Sequence, residues 1–319
     1  MSGRIPILFA PPEPAEVIRL AGVWAEQIHS ATGAYRVVSE LAAALAGIAL
    51  GPAEEELLPL RRALAAHPLT ELLRRDPLAA RAWTSDHLGR PPDGEIADLM
   101  LRHPDAARLI ASADAVGRNV FAATSGLPTC EAVREHRRLI ARLADQAAEE
   151  RPGARVLCIA PAHLREAELS AAGPSGGIRR WVALVDDHEP ASDIAAELPV
   201  PWVVPHVGPV IDALAEDDLG EPFDFVYCKS IAYFSGRQAE AIIRHSFARL
   251  RPGGRLMLSA WAAAAPDRAF WILGGARLSA RDESQLARLV TVLPEAEIAE
   301  RRVFPSINGA LLYLEVVRR

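Results

Sequence analysis

The sequence predicts an α/β protein in which a doubly wound, mostly parallel sheet follows an all-helical N-terminal portion and closes on an antiparallel hairpin. Three observations carry this. Residues 14 to 150 show apolar residues three and four apart without a strand pattern. After "ERPGAR" at 150 to 155, short apolar runs alternate with helical stretches. The chain then ends on two strand-like runs around Asn308-Gly309.

The helical portion reads as "AEVIRLAGVWAEQIHSATGAYRVVSELAAALAGIAL", "AEEELLPLRRALAAH", "LTELLRRDPLAARAW" and "CEAVREHRRLIARLADQAAEE". Breaks are expected at Gly51-Pro52, at His67-Pro68 and through "GRPPDG" at 89 to 94, where proline and glycine stop a helix. The strands that follow are "RVLCIA", "RWVALVDD", "PWVVPHV", "FDFVYCKS" and "GRLMLSAW", with "GRQAEAIIRHSFARL" among the intervening helices. Near-continuous apolar strands of this kind are buried on both faces, as in a parallel sheet covered by helices. Asn308-Gly309 tolerates the positive φ angles of a tight hairpin.

The composition bounds the function. A chain of 319 residues, half hydrophobic, can build a real core, and its net charge of −6 argues against a nucleic-acid partner. Cys130, Cys158 and Cys228 stand far apart with no metal-ligand spacing and read as reduced core thiols. The start "MSGRIPILFAPPEPAE" is too short and wrongly flanked for a signal peptide. The apolar tract at 41 to 50 is about half a membrane span. The expectation is a cytoplasmic protein with a small-molecule substrate, no nucleic acid and no membrane partner, with a homodimer left open. No phosphate loop of the GxxxxGKS type, no G-x-S-x-G elbow and no metal-ligand cluster is present in the sequence.

"FDFVYCKSIAYF" at 223 to 234, followed by a helix and then "LRPGGRLMLSAW" at 250 to 261, resembles the class I S-adenosylmethionine (SAM) dependent methyltransferases, with a Rossmann-like sheet and a terminal hairpin. "APAHLREAEL" and "INGALLYLEVVRR" are similar to a bacterial branch associated with methyl-ester signal synthesis, and "FAATSGLPTCEAVREHRR" and "PLTELLRRDPLAARA" extend that similarity upstream. The resemblance implies a helical cap over residues 1–118, a SAM-binding domain over 119–319, SAM as cosubstrate or substrate, no metal, and a place in secondary metabolism.

It also implies a site. The loop Ala160, Pro161, Ala162 and His163 takes the place of the family's glycine-rich loop, without a glycine. Asp186 and Asp187 stand at the end of the second strand for the ribose hydroxyls, although ungapped alignment puts Val185 there. Gly208, Pro209 and Val210 follow the third strand, where the adenine is wrapped. Cys228, Ser230 and Tyr233 follow the fourth, near the transferring group. Arg134 and Asn119 are candidates for gripping the cofactor. Ser230, Tyr233, His163 and Glu166 are the catalytic candidates.

For several of these a bland role competes. His163 equally suits a cap on a helix following the first strand, Glu168 suits that helix's N-terminus, and Tyr227 reads as core. Lys229 and most of "REHRR" read as solvated charge. Three functions are open: methyl transfer to a small acceptor; cyclisation of SAM to azetidine-2-carboxylate and methylthioadenosine, as in azetidine-2-carboxylate synthases, which look like members of this fold; and a non-catalytic binding protein.

Overall fold

The computed structural model of the protein describes residues 13–49, 57–84, 94–216, 219–275 and 280–319. These residues fall into two compact units. One comprises the described residues within Met1–Asp86, Arg102–Cys130 and Pro266–Leu278; the other, those within His87–Leu101, Glu131–Ala265 and Ser279–Arg319.

The first unit is helical: α1 (Pro14–Gln27), α2 (Ala31–Ala49), α3 (Leu57–Ala65), α4 (Pro68–Leu73) and α5 (Pro77–Thr84). Prolines open α1, α4 and α5, where the missing N–H costs nothing. Buried Asp76 caps α5 by accepting from the Leu78 and Ala79 N–H groups at 2.8 and 3.2 Å and from the Thr124 hydroxyl at 2.6 Å. The expected breaks at Gly51-Pro52 and at 89 to 93 lie outside the described residues.

The second unit opens with α6 (Gly94–Leu101). The chain then runs through α7 (Ala107–Ser112) and α8 (Ala115–Thr124) of the helical unit into the long α9 (Pro128–Glu150). The strands are β1 (Ala154–Ile159), β2 (Ile178–Val185), β3 (Val203–Val207), β4 (Phe223–Cys228), β5 (Leu250–Ala262), β6 (Ala280–Arg281), β7 (Ile298–Pro305) and β8 (Leu311–Arg318). Between them run α10 (His188–Glu197), α11 (Val210–Ala215), α12 (Gly236–Ala248), α13 (Arg268–Gly274, in the helical unit) and α14 (Glu283–Arg288). Ser235 and Gln238 form a capping box that starts α12.

The sheet runs β3-β2-β1-β4-β5-β8-β7. Its first five strands are parallel, whereas β8 pairs antiparallel with both β5 and β7. The expected doubly wound sheet with an antiparallel end is therefore present, and two-residue β6 adds a short parallel pairing to β5. Because strand side chains alternate, one face receives Leu157, Ile159, Val182, Leu184, Val226, Leu256, Leu258, Leu312 and Leu314, which join a continuous apolar core.

Two local expectations are corrected. No α-helix follows β1: only a 3-10 turn, Ala167–Leu169, forms there. Ala160, Ala162 and Leu164 have φ of 55°, 51° and 51°, left-handed values that interrupt any helical run and cost about 1–2 kcal/mol per residue. The hairpin is also not a two-residue turn. Five residues separate β7 from β8, and of the Asn-Gly pair only Gly309 has positive φ, 72°. The Gly309 N–H donates to the Ser306 carbonyl at 2.9 Å, and the Asn308 side chain accepts from the Ala310 N–H at 3.1 Å, so the asparagine bonds locally instead of turning left-handed.

Candidate functional site

Strand order reverses between β1 and β4, and a parallel sheet binds ligands outside the carboxyl ends of its strands at such a point. The topology therefore gathers Ala160, Pro161, Ala162 and His163 (after β1), Asp186 and Asp187 (after β2), Gly208, Pro209 and Val210 (after β3) and Cys228, Ser230 and Tyr233 (at the end of β4) along one edge.

At the β2 and β3 ends the carboxylates of Asp186 and Asp187 are exposed. Asp186 Oδ1 accepts from the Val210 N–H at 3.0 Å, fixing the start of α11 and leaving Oδ2 for another donor. A Cβ placed on Gly208 would meet only the Ala213 methyl, at 3.9 Å, so the space above that backbone is open. Two exposed carboxylates beside open backbone suit the hydroxyl-bearing end of a nucleoside.

The β1 and β4 ends are joined. Lys229 Nζ donates to the Pro161 carbonyl at 2.6 Å and pairs with Glu166 Oε2 at 2.7 Å. The Tyr227 hydroxyl donates to Glu166 Oε1, Trp181 Nε1 donates to that hydroxyl at 3.2 Å, and the Cys158 thiol lies 3.8 Å from the same carboxylate oxygen. Burial alone would raise the Glu166 carboxyl, but the charge and hydrogen bond of Lys229, with the Tyr227 hydroxyl, hold it below the ordinary value. Lys229, itself half-buried, is thus the partner of a buried carboxylate and not the solvated charge its sequence context suggested. Tyr227 is core, as expected, but core with a polar task.

His163 neither caps a helix nor stands free. Its Nδ1 lies 2.8 Å from Asp98 Oδ2 and 3.3 Å from Glu197 Oε2, and its ring covers Gly94 so closely that a Cβ there would lie 1.8 Å from Nε2. Arg165, almost fully buried, reaches Asp98 at 2.8 Å, Glu197 at 2.6 Å and Glu168 at 2.9 Å. Asp98, His163 and Glu197 have the donor atoms to ring a cation, but the Arg165 guanidinium already bridges both carboxylates. Burial would raise the Asp98 carboxyl; hydrogen bonds and charge from His163 and Arg165 overcome this and hold it at about 2. Burial works against a charged His163, yet Asp98 and Glu197 outweigh it, and the imidazole pKa is raised.

The remaining candidates scatter. The Cys228 thiol points into the apolar core, and burial pushes it up to about 12. The Ser230 hydroxyl is buried. Tyr233 is half-buried beside Trp261 and Ser230. Arg134 Nη1 donates to the Met100 carbonyl at 2.7 Å, which ties α9 to α6. Asn119 lies in the helical unit, where its amide donates to the His29 carbonyl at 3.5 Å. Glu168 serves Arg165 and Arg137 and no helix end.

Sequence reasoning missed His136. It sits inside "REHRR" on α9, a run read as solvated, but the ring is buried and stacks on Tyr313 with centroids 5.7 Å apart and planes 6° apart. Among the described residues neither ring nitrogen has a hydrogen-bond partner, nor does the Tyr313 hydroxyl. Burial pushes the His136 pKa down to about 4, so the ring is neutral near pH 7. The available signal was its spacing from Ala132 and Ile140, apolar neighbours four residues away on either side, which put it on the buried stripe of α9.

No protein-family model and no curated protein sequence matches the chain. Solved structures do. A possible exported protein from Bordetella parapertussis is similar over 96% of this chain and 97% of its own, with 14% identity and a TM-score of 0.52. A candidate methyltransferase from Thermobifida fusca is similar over 72% of this chain and 96% of its own, with 15% identity and a TM-score of 0.50. Among the described residues no helix is long and apolar enough to cross a membrane. The likeness is one of fold, and the chain has the Rossmann-like α/β architecture of the methyltransferase-type sheet.

Proposed function

We propose that the protein is a SAM-dependent methyltransferase acting on a small-molecule acceptor. The observation that carries this reading is the pairing, at the switch-point edge of a methyltransferase-type sheet, of two exposed carboxylates after β2 with open backbone at Gly208 after β3. When bound, SAM supplies an electrophilic methyl group on a sulfonium. In this reading Asp186 and Asp187 hold the ribose hydroxyls, and Gly208, Pro209 and Val210 flank the adenine. Ala160, Pro161, Ala162 and the backbone of Cys228 border the methionine part. Tyr233 and Ser230 face the reacting end. His163 and Glu166 act by position: Glu166 fixes Lys229 and Tyr227, and His163 fixes the first loop on α6. Arg134 supports the site from α9. The protein's contribution is alignment of the acceptor with the methyl-sulfur bond and exclusion of water.

A second reading has a specific observation behind it. Ala162 holds a left-handed backbone, φ 51°, where the family has glycine, which supports a changed SAM pose in which its own α-amine attacks its γ-carbon. The carbon-sulfur bond then breaks toward sulfur, and the products are methylthioadenosine, azetidine-2-carboxylate and a proton. Incubation with SAM alone, followed by mass spectrometry, separates the readings. SAM that binds and stays intact is the outcome expected for methyl transfer. Methylthioadenosine with a four-membered amino acid replaces that reading by cyclisation, and absence of binding overturns both.

A further inference from the structure

The registry of the sheet places Lys229, Ser259 and Tyr313 side by side. Tyr227, two residues before Lys229, pairs with Met257, two before Ser259, and Ser259 pairs with Tyr313 across the antiparallel β5-β8 ladder. The Ser259 hydroxyl donates to the Lys229 carbonyl. His136 covers Tyr313 from α9, and Glu166 closes the row beside Lys229.

Within this row the charges are satisfied and the neutral groups are not. Glu166 and Lys229 neutralise each other, and Glu166 uses both oxygens. His136 offers one donor and one acceptor without a partner, and Tyr313 offers a hydroxyl without one. Buried polar groups are rarely left so, and two in contact call for a ligand that completes them. Both residues are buried, His136 at 6% exposure and Tyr313 at none. An anionic ligand group would meet the Glu135 carboxylate, whose charge already acts on the Tyr313 phenol. An uncharged hydroxyl, able to donate and accept at once, matches the imidazole acceptor and the Tyr313 donor.

We infer that His136 and Tyr313 form the acceptor subsite of this protein, taking the uncharged hydroxyl of a small alcohol or phenol, which donates to an imidazole nitrogen and accepts from the Tyr313 hydroxyl. This rests on the methyl-transfer reading for its role and names that reading's substrate class. Neutrality of the ring near pH 7, set by burial, leaves one nitrogen free to accept the hydroxyl proton.

The test uses the full-length protein with 13C-labelled histidine, phenol as probe and no SAM. The His136 resonance is identified by its loss in His136→Phe. Phenol is expected to move it saturably, benzoate to act at least about tenfold more weakly, and Tyr313→Phe, which keeps the ring, to weaken phenol about tenfold. An unmoved His136 resonance, equal effects of benzoate and phenol, or unchanged phenol affinity in folded Tyr313→Phe overturns the subsite. If His136→Phe does not fold, the Tyr313→Phe comparison decides alone: weakened phenol binding supports the subsite and unchanged binding overturns it. SAM binding, titrated separately, distinguishes the two failures: phenol binding without SAM binding removes the methyl-transfer reading and leaves the subsite, and SAM binding without phenol binding removes only the subsite.

Discussion

The two faces of the central sheet are equally buried and differently composed. One presents Leu157, Val182, Val226, Leu258 and Leu314 to an apolar core. The other, under α9, presents Cys158, Trp181, Tyr227, Ser259 and Tyr313 in the alternate positions of the same strands. Period-two alternation lets each strand serve both at once. The first face stabilises by removing area from water, roughly 25 cal/mol per Å2, and tolerates no polar atom. The second must match its donors with acceptors, and at Tyr313 it leaves a partner missing among the described residues.

The largest effect that would break this contrast lies in the pair of Lys229 and Glu166. Lys229→Met should lower stability by about 3–5 kcal/mol in urea unfolding, because it strands the Glu166 carboxylate. Adding Glu166→Gln should restore much of the loss; a single variant costing under about 1 kcal/mol would mean the pair behaves as a surface contact. On the opposite face, Leu258→Ala should cost about 2–5 kcal/mol through a cavity and leave phenol and SAM affinities unchanged. Equal damage to ligand binding would erase the distinction between the faces.

Smaller effects separate matched from unmatched hydroxyls. Tyr227→Phe removes a donor from a buried carboxylate and should cost about 1–3 kcal/mol. Tyr313→Phe removes a hydroxyl that has no hydrogen-bond partner among the described residues and should be near neutral for stability, with phenol binding alone affected. The smallest effect is a pH slope at His163. Its pKa is raised on folding, so its contribution is full below the unfolded value of about 6.5 and is lost as pH rises through the higher folded value. His163→Asn should flatten the stability profile above pH 6.5, and an unchanged slope would place the titrating group elsewhere.

The sheet, its helices and its antiparallel end were legible in the sequence because apolar runs and their spacing state burial directly. Of the proposed site, only the placement that follows from topology was legible, as with Asp186 at the end of β2 and Gly208 after β3. Contacts between distant residues were not. Arg165 meets Asp98 across 67 positions, and that pull, with three left-handed residues, replaces the helix that "HLREAEL" suggested. His136 stayed hidden because charged neighbours at 134, 135, 137 and 138 masked a single position of the buried stripe. Lys229 looked solvated because its counter-ion, Glu166, lies on another loop.

The most direct measurement is a calorimetric titration of SAM into the wild-type protein and into Asp186→Asn. The substitution keeps the Oδ1 that caps α11 and removes the charge that the proposed reading assigns to the ribose hydroxyls. Saturable one-to-one binding, weakened about tenfold or more in the variant, is the expected result. No binding by the wild type, or equal affinities in the two proteins, would contradict a nucleoside-bearing ligand at the carboxyl ends of β2 and β3.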